Sequence, residues 1–277
     1  MKIFINNRYY SKRNAKVSIF DHGYLYGDGI YETMRSNNGV VFKIDEHITR
    51  LFRSAKMIYL DIRYSKQEIK SAVYRTLKIN KLKNAYIRIS FSRGIGEIGL
   101  DTALCKKPVF VIITNKFRQY PKEYYKNGVK IIIAETRRNH PKSLNPKIKS
   151  NNFLNNILAK IEAKKRNAFE SIMLNLDGFI AEGTVSNIFI VKNGILMTPS
   201  LKCGILGGIT RKYILESAKK MKIKVKEAKI RINELYAVDE CFITNTSIGI
   251  MPVRSIDGRR INVKGEVIKR LIKLKFN

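Results

Sequence analysis

Between residues 45 and 58 the apolar side chains Ile48, Leu51, Phe52, Ala55 and Ile58 recur at helical spacing. One helix with a buried face is predicted there, opened by Asp45 as its N-cap. A second helix is predicted over 66–79. Around these helices the pattern shortens to strand-length apolar runs at 2–6, 16–19, 31–34, 40–43, 85–92 and 109–114. Asn37-Asn38-Gly39 reads as the turn joining the third and fourth of these. After 118–128, which holds Pro121 and several polar residues, the pattern resumes with a strand at 129–135 and a helix over 153–166. That helix is expected to bury Leu154, Ile157, Leu158 and Ile161. Strands follow at 171–176, 187–191 and 195–197, with a turn at Asp177-Gly178. A helix from Thr210 to about Met221, strands at 223–228 and 240–244, and a helix from about Lys264 complete the pattern. It predicts an α+β chain with a small N-terminal domain over 1–117, a linker over 118–128 and a larger C-terminal domain over 129–277.

Composition narrows the function more than the fold. Apolar residues make up 44% of the 277, as in a globular protein. No apolar run is long enough for a membrane helix, and the strand-like N-terminus lacks a cleavable signal pattern, so a cytoplasmic location is the default expectation. Cys105, Cys203 and Cys241 are scattered, as are His22, His47 and His140, so neither a disulfide framework nor a metal site is expected. The net charge of +32 raises nucleic-acid binding as an alternative function. Basic residues, however, run from Lys2 to Lys275, and the stretch at 219–224 alternates lysine with apolar residues. Solvated lysine faces explain that distribution better, and a positive field would also attract an anionic cofactor or substrate.

Three segments offer chemistry. Lys149 precedes the helix predicted at 153, and a helix N-terminus lowers a lysine pKa, as a Schiff-base lysine requires. A lysine in that position is ordinarily just solvated. Glu182, in Phe179-Ile180-Ala181-Glu182-Gly183, lies among small residues that would let a flat ring approach. An ordinary turn glutamate reads the same way. Gly204-Ile205-Leu206-Gly207-Gly208-Ile209-Thr210 leads glycines into a helix, the form of a phosphate cradle, or of a loop that Thr210 caps.

Taken in order with the stretches 20–32, 45–51 and 242–253, these segments resemble the class IV pyridoxal-phosphate enzymes. That group includes branched-chain aminotransferases, D-amino-acid aminotransferases and 4-amino-4-deoxychorismate lyases. The resemblance spans nearly the whole chain. It implies the fold-type IV architecture, with a small α/β N-terminal domain and a larger β-barrel-like C-terminal domain with helices. It also implies pyridoxal 5′-phosphate as cofactor, small amino acids and keto acids as partners, and a homodimer with no membrane partner. Lys149 matches the lysine that bonds to the cofactor and moves the substrate proton. Glu182 matches the carboxylate on the pyridine nitrogen, and Leu206 the leucine packed on the ring. Arg50, Ile209, Thr210 and Thr246 match phosphate contacts, with Ser247 beside them facing cofactor and substrate.

Within the group the reading is an aminotransferase of branched-chain type acting with a 2-keto acid such as 2-oxoglutarate. Arg88 matches an arginine that helps bind the substrate carboxylate in branched-chain enzymes; Tyr31 is a further substrate-binding candidate, one that would also suit the D-amino-acid enzymes. The carboxylate trap of bacillus-type D-amino-acid enzymes falls here on Ile98 and Leu100, which cannot bind a carboxylate. The alternative is the lyase, which releases pyruvate. Such lyases often carry threonine where this chain has Thr33, a proposed proton donor.

Overall fold

The computed structural model describes residues 1–276. They form two compact units, one of residues 1–118 with 148–153, the other of 119–147 with 154–276.

The first unit is a six-stranded antiparallel sheet carrying two helices. Its strands are β1 (Lys2–Ile5), β2 (Arg8–Ser11), β3 (Gly29–Asn37), β4 (Val40–Val41), β5 (Ala85–Ser92) and β6 (Val109–Lys116), in the order β2-β1-β6-β5-β3-β4. A short helix α1 (His22–Leu25) precedes β3, and α2 (Ile44–Met57) and α3 (Lys66–Ile79) follow β4. The turn between β3 and β4 places Asn38 and Gly39 at positive φ, 49° and 86°, as a tight hairpin demands. Along β5 burial alternates residue by residue: Ala85, Ile87, Ile89 and Phe91 face the core with Ile48, Leu51, Ile69 and Val73 of the helices. Two expectations fail here. Residues 16–19 form no strand, and the extra strand is β2, paired with β1. Asp45 is not the N-cap of α2. Lys43 takes that place in the left-handed conformation, and Asp45 lies in the first turn, where its carboxylate favours the helix dipole and meets Lys70 Nζ at 2.9 Å.

The segment 148–153 joins this unit along β3. Tyr31 N–H donates to Lys149 O at 2.9 Å and Asn151 N–H to Gly29 O at 2.8 Å. Lys149 is therefore fixed by backbone pairing to a strand more than a hundred residues earlier.

The second unit is a nine-stranded mixed sheet that curls. It comprises β7 (Val129–Ile133), β8 (Glu170–Leu174), β9 (Ile180–Gly183), β10 (Asn187–Lys192), β11 (Ile195–Pro199), β12 (Val225–Ala228), β13 (Glu240–Asn245), β14 (Gly249–Ile256) and β15 (Arg259–Arg260). The main order is β12-β11-β10-β13-β14-β7-β8-β9, and β9, at the far end, returns against β10 and β11. This is the curled sheet that the fold expectation called barrel-like. Its helices are α4 (Lys122–Asn127), α5 (Leu154–Lys165), α6 (Ile209–Lys220), α7 (Ile232–Tyr236) and α8 (Glu266–Leu271).

Three expectations are corrected in this unit. Glu182 lies within a strand, β9, and is not the turn glutamate that its sequence also allowed. The cap of α6 is Gly208, with Thr210 inside the first turn. The apolar strip of α5 is not buried: Leu154, Ile157, Leu158 and Ile161 are 65, 51, 48 and 44% exposed. The inner face of α5 is instead Asn156, Ala159 and Ala163, small enough to lay the helix close on β8. Asn156 satisfies its buried amide by donating to Thr184 O at 2.7 Å. Among the described residues no helix is long and apolar enough to cross a membrane.

Candidate active site

In the first unit the chemistry collects on the two faces of β3. Tyr31 and Thr33 point to the face opposite α2, where the antiparallel register sets Thr33 beside Arg88 and Tyr31 beside Ser90. The Arg88 guanidinium stacks on the Tyr31 ring, its Cζ 3.8 Å from the centroid, and its Nη2 donates to Asn151 Oδ1 at 3.2 Å. Lys149 Nζ lies 3.4 Å from the Tyr31 hydroxyl and 4.5 Å from the centroid of its ring. Burial pushes the Tyr31 hydroxyl far above its ordinary pKa, against the pull of Arg88, so it stays protonated. Phe153 packs edge-on against Tyr31.

On the other face of β3, Glu32 is fully buried. Arg50 of α2 grips its carboxylate from the side, with Nε donating to Oε1 at 2.6 Å and Nη2 to Oε2 at 2.7 Å. His47, one turn earlier, donates from Nδ1 to Oε2 at 2.7 Å. Burial alone would raise the Glu32 pKa. The Arg50 charge and its hydrogen bonds, helped by His47, outweigh that and hold it at about 2. Burial keeps His47 below its ordinary pKa despite the carboxylate, so the ring is neutral. One turn further on, Ser54 Oγ accepts from the Lys149 backbone N–H at 3.2 Å.

The second unit holds a buried carboxylate and a glycine-led helix terminus. Glu182 accepts from Arg138 Nε at 2.9 Å, from Leu206 N–H at 3.0 Å and from Asn187 Nδ2 at 3.3 Å. Asn187 also donates to Leu206 O at 3.1 Å, so the loop before α6 is tied to β9 and β10 from both sides. Gly208 packs so closely that a Cβ there would collide with Asn187 Oδ1. Only glycine allows this approach, which sets the first-turn N–H groups of Ile209 and Thr210 at the dipole end of α6. Between β13 and β14, the Asn245 side chain accepts from the N–H groups of Ser247 and Ile248 at 2.8 and 3.0 Å and shapes the turn carrying Thr246 and Ser247.

The profile of the class IV aminotransferases matches residues 29–256. The chain belongs to the class IV aminotransferase family. A putative branched-chain-amino-acid aminotransferase of Methanocaldococcus jannaschii is 45% identical over 98% of this chain and 94% of its own length. An aminodeoxychorismate lyase of Bacillus subtilis is 37% identical over 92% of this chain and 86% of its own. Among solved structures, the branched-chain aminotransferase of the archaeon Thermoproteus uzoniensis with norvaline superposes at a TM-score of 0.92. It is 35% identical and covers 98% of this chain and 92% of its own.

Within this class IV aminotransferase, each unit gathers its own share of the candidate residues. Arg88 and Lys149 both touch Tyr31. Thr33 stands beside Arg88 on the same sheet face as Tyr31, and Arg50 lies beneath the strand, held by Glu32. Glu182 and Leu206 are hydrogen-bonded to each other, Ile209 and Thr210 follow in the first turn of α6, and Thr246 and Ser247 occupy the hairpin turn. Sequence reasoning did not single out Glu32, His47, Arg138, Asn187 or Ser54. For the first two a signal existed. Glu32 falls on the core-facing positions of its strand with Ile30 and Met34, where a carboxylate needs a partner. His47 and Arg50 share the core-facing side of α2 with Ile48 and Leu51.

The family uses pyridoxal 5′-phosphate, and the residues present fit it. In the first unit an amine stands beside a protonated tyrosine, and Arg50 has the charge that suits a phosphate. In the second, the buried Glu182 carboxylate suits a pyridine N–H, and Thr210, Thr246 and a glycine-led helix terminus suit a phosphate. Among the described residues no group of His, Cys, Asp and Glu could hold a metal ion.

Proposed function

We propose that this chain is an aminotransferase of branched-chain type that moves an amino group between an amino acid and a 2-keto acid, with pyridoxal 5′-phosphate held on Lys149. The observation that carries the reading is the stack of Arg88 on Tyr31 beside the Lys149 amine. It sets a fixed cation for a substrate carboxylate next to the group that moves the substrate proton. Bound there, the cofactor supplies an electron sink for the pair released when the substrate Cα–H bond breaks.

The remaining work falls to the chain. Lys149, once its amine is neutral, would take the substrate Cα proton on Nζ as general base and give it up again from the same Nζ as general acid. The Tyr31 hydroxyl, kept protonated by burial, accepts from that amine and would steady it between the two transfers. Glu182, fixed by Arg138 and the Leu206 N–H, is the carboxylate that would meet a pyridine nitrogen and favour its protonated form. Arg50 in the first unit and Ile209, Thr210 and Thr246 in the second, with Ser247 as a further candidate, are the groups that would hold a phosphate, and Leu206 is the side chain that would pack on a ring.

The test is a pair of half-reactions followed by the visible spectrum of the holoenzyme. Leucine, isoleucine or valine should bleach the cofactor band, and 2-oxoglutarate should restore it. A holoenzyme whose band answers to no L- or D-amino acid would sink the reading. A second reading, the lyase, is supported by Thr33 standing beside Arg88 on the same sheet face. Pyruvate release from 4-amino-4-deoxychorismate, without turnover of any branched-chain donor, would favour it.

A cytoplasmic homodimer belongs to the same proposal. The exposed strip Leu154, Ile157, Leu158 and Ile161 is the kind of apolar face that a second copy of the chain would cover. Light scattering after size exclusion should give the mass of two chains, and Leu158→Glu should shift it toward one. A wild-type monomer at micromolar concentration would count against the dimer.

A further inference from the structure

We infer that Glu32 and His47 are positioning residues for cofactor binding: they hold the Arg50 guanidinium in one plane and one direction, so that it meets a phosphate without having to be ordered on binding. This rests on the reading that Arg50 binds the phosphate.

The geometry is specific. Arg50 and Glu32 meet as two parallel charge-assisted bonds of 2.6 and 2.7 Å, which fixes the guanidinium plane as a single bond would not. The pair is 6 and 0% exposed. A buried ion pair is a poor source of stability, since apolar residues of the same volume do as well or better. Its presence in a core otherwise made of Ile30, Met34, Ile48 and Leu51 therefore points to a use other than holding the fold.

His47 strengthens this reading. Its Nδ1–H is committed to the oxygen of Glu32 that also accepts Arg50 Nη2, so the carboxylate is held from two directions and cannot rotate away from the arginine. Its Nε2 is buried without a hydrogen-bond partner among the described residues, a cost that a purely structural position would be expected to shed. The same face of α2 reaches Lys149 through Ser54 Oγ. One rigid helix thus holds the anion-binding group and the backbone of the reactive lysine in register, which is how a site keeps two distant ligand atoms at a set separation.

The test compares pyridoxal 5′-phosphate with pyridoxal, which lacks the phosphate, on the apoprotein by equilibrium titration. Glu32→Gln should weaken pyridoxal 5′-phosphate by roughly 10- to 100-fold, the scale at which groups that orient a ligand-binding side chain act. Pyridoxal affinity should stay within about 2-fold, because the lost orientation concerns only the phosphate. Arg50→Gln, as the reference, should show the same selectivity more strongly. If Arg50→Gln discriminates and a folded Glu32→Gln does not, the positioning inference falls and the phosphate reading stands. If Arg50→Gln fails to discriminate, the phosphate reading falls and takes the inference with it.

Should Glu32→Gln not fold, the histidine series answers the question. His47→Asn keeps an N–H donor near the Nδ1 position and should retain affinity within about 3-fold. His47→Phe removes it and should lose about 10-fold for the phosphorylated ligand alone. Equal losses for both ligands, or no loss in a folded His47→Phe, would overturn the inference.

Discussion

Lys149→Ala is expected to lower kcat by at least about 1,000-fold while leaving the fold intact, because a positioned general base is worth on the order of 100- to 10,000-fold by itself. The side chain is placed for that task, with its Nζ at the Tyr31 hydroxyl. Beyond that side-chain contact, the backbone of this segment is paired with β3 and with Ser54. Truncation therefore removes chemistry without removing the backbone contacts that place the segment. Unfolding midpoints in urea should match the wild type within experimental error, and stopped-flow half-reactions should show the loss. If added methylamine restored part of the rate, the missing group would be identified as an amine rather than a packing element.

The second large effect concerns stability. Arg50→Ala strands the Glu32 carboxylate in the core, and an uncompensated buried charge costs about 3–5 kcal/mol. The dependence on pH has a definite sign. In the wild type the folded Glu32 pKa is about 2 against an ordinary 4.5. The part of the stability that depends on its ionisation is therefore complete above pH 4.5 and is lost as pH falls toward 2. His47, also lowered, adds a loss that begins as pH drops below its ordinary 6.5, where the unfolded ring binds a proton that the folded one resists. In Arg50→Ala the carboxylate loses the charge that held its pKa down, so burial raises it. The deficit should then be largest near pH 7 and shrink on acidification, opposite to the wild-type trend. Urea unfolding at pH 7 and pH 4 reads the difference directly. An equal deficit at both values would mean that Glu32 is not the group responsible.

Much of this was legible in the sequence where burial is one-sided. The helix at 66–79 is found at its expected ends because Ser65 and Glu68 cap it reciprocally and its apolar spacing is regular. The strand at 85–92 alternates cleanly because one face is covered by helices. Strands covered on both sides gave no such signal. β9 is four residues long and entirely buried, and β14 carries Pro252 opposite Phe242 in mid-sheet, where proline ordinarily argues against a strand. The apolar strip of α5 was legible as amphipathic, but the pattern does not say which face the fold covers. Here the small residues Ala159 and Ala163 pack inward and the larger ones stay outside.

The candidate site divides in the same way. The order of Arg50, Lys149, Glu182, the Gly207-Gly208 loop and Thr246 shows the family in the sequence. The support beneath them depends on long-range pairing. Residue 149 lies on β3 through two backbone bonds across more than a hundred residues, which no local pattern records. Arg138 reaches Glu182 across 44 residues, and Asn187 ties Glu182 to the loop before α6. Such second contacts are invisible to spacing, yet they decide where the reactive groups point.

On the proposed reading, Lys149 is the residue that carries pyridoxal 5′-phosphate. Borohydride reduction of the purified holoenzyme, followed by proteolysis and mass spectrometry, tests it most directly. A reduced phosphopyridoxyl group on the peptide containing Lys149, at near one per chain and absent from Lys149→Ala, is the predicted result. Stoichiometric label on any other lysine, or none in a protein that shows the cofactor's absorbance, would contradict it.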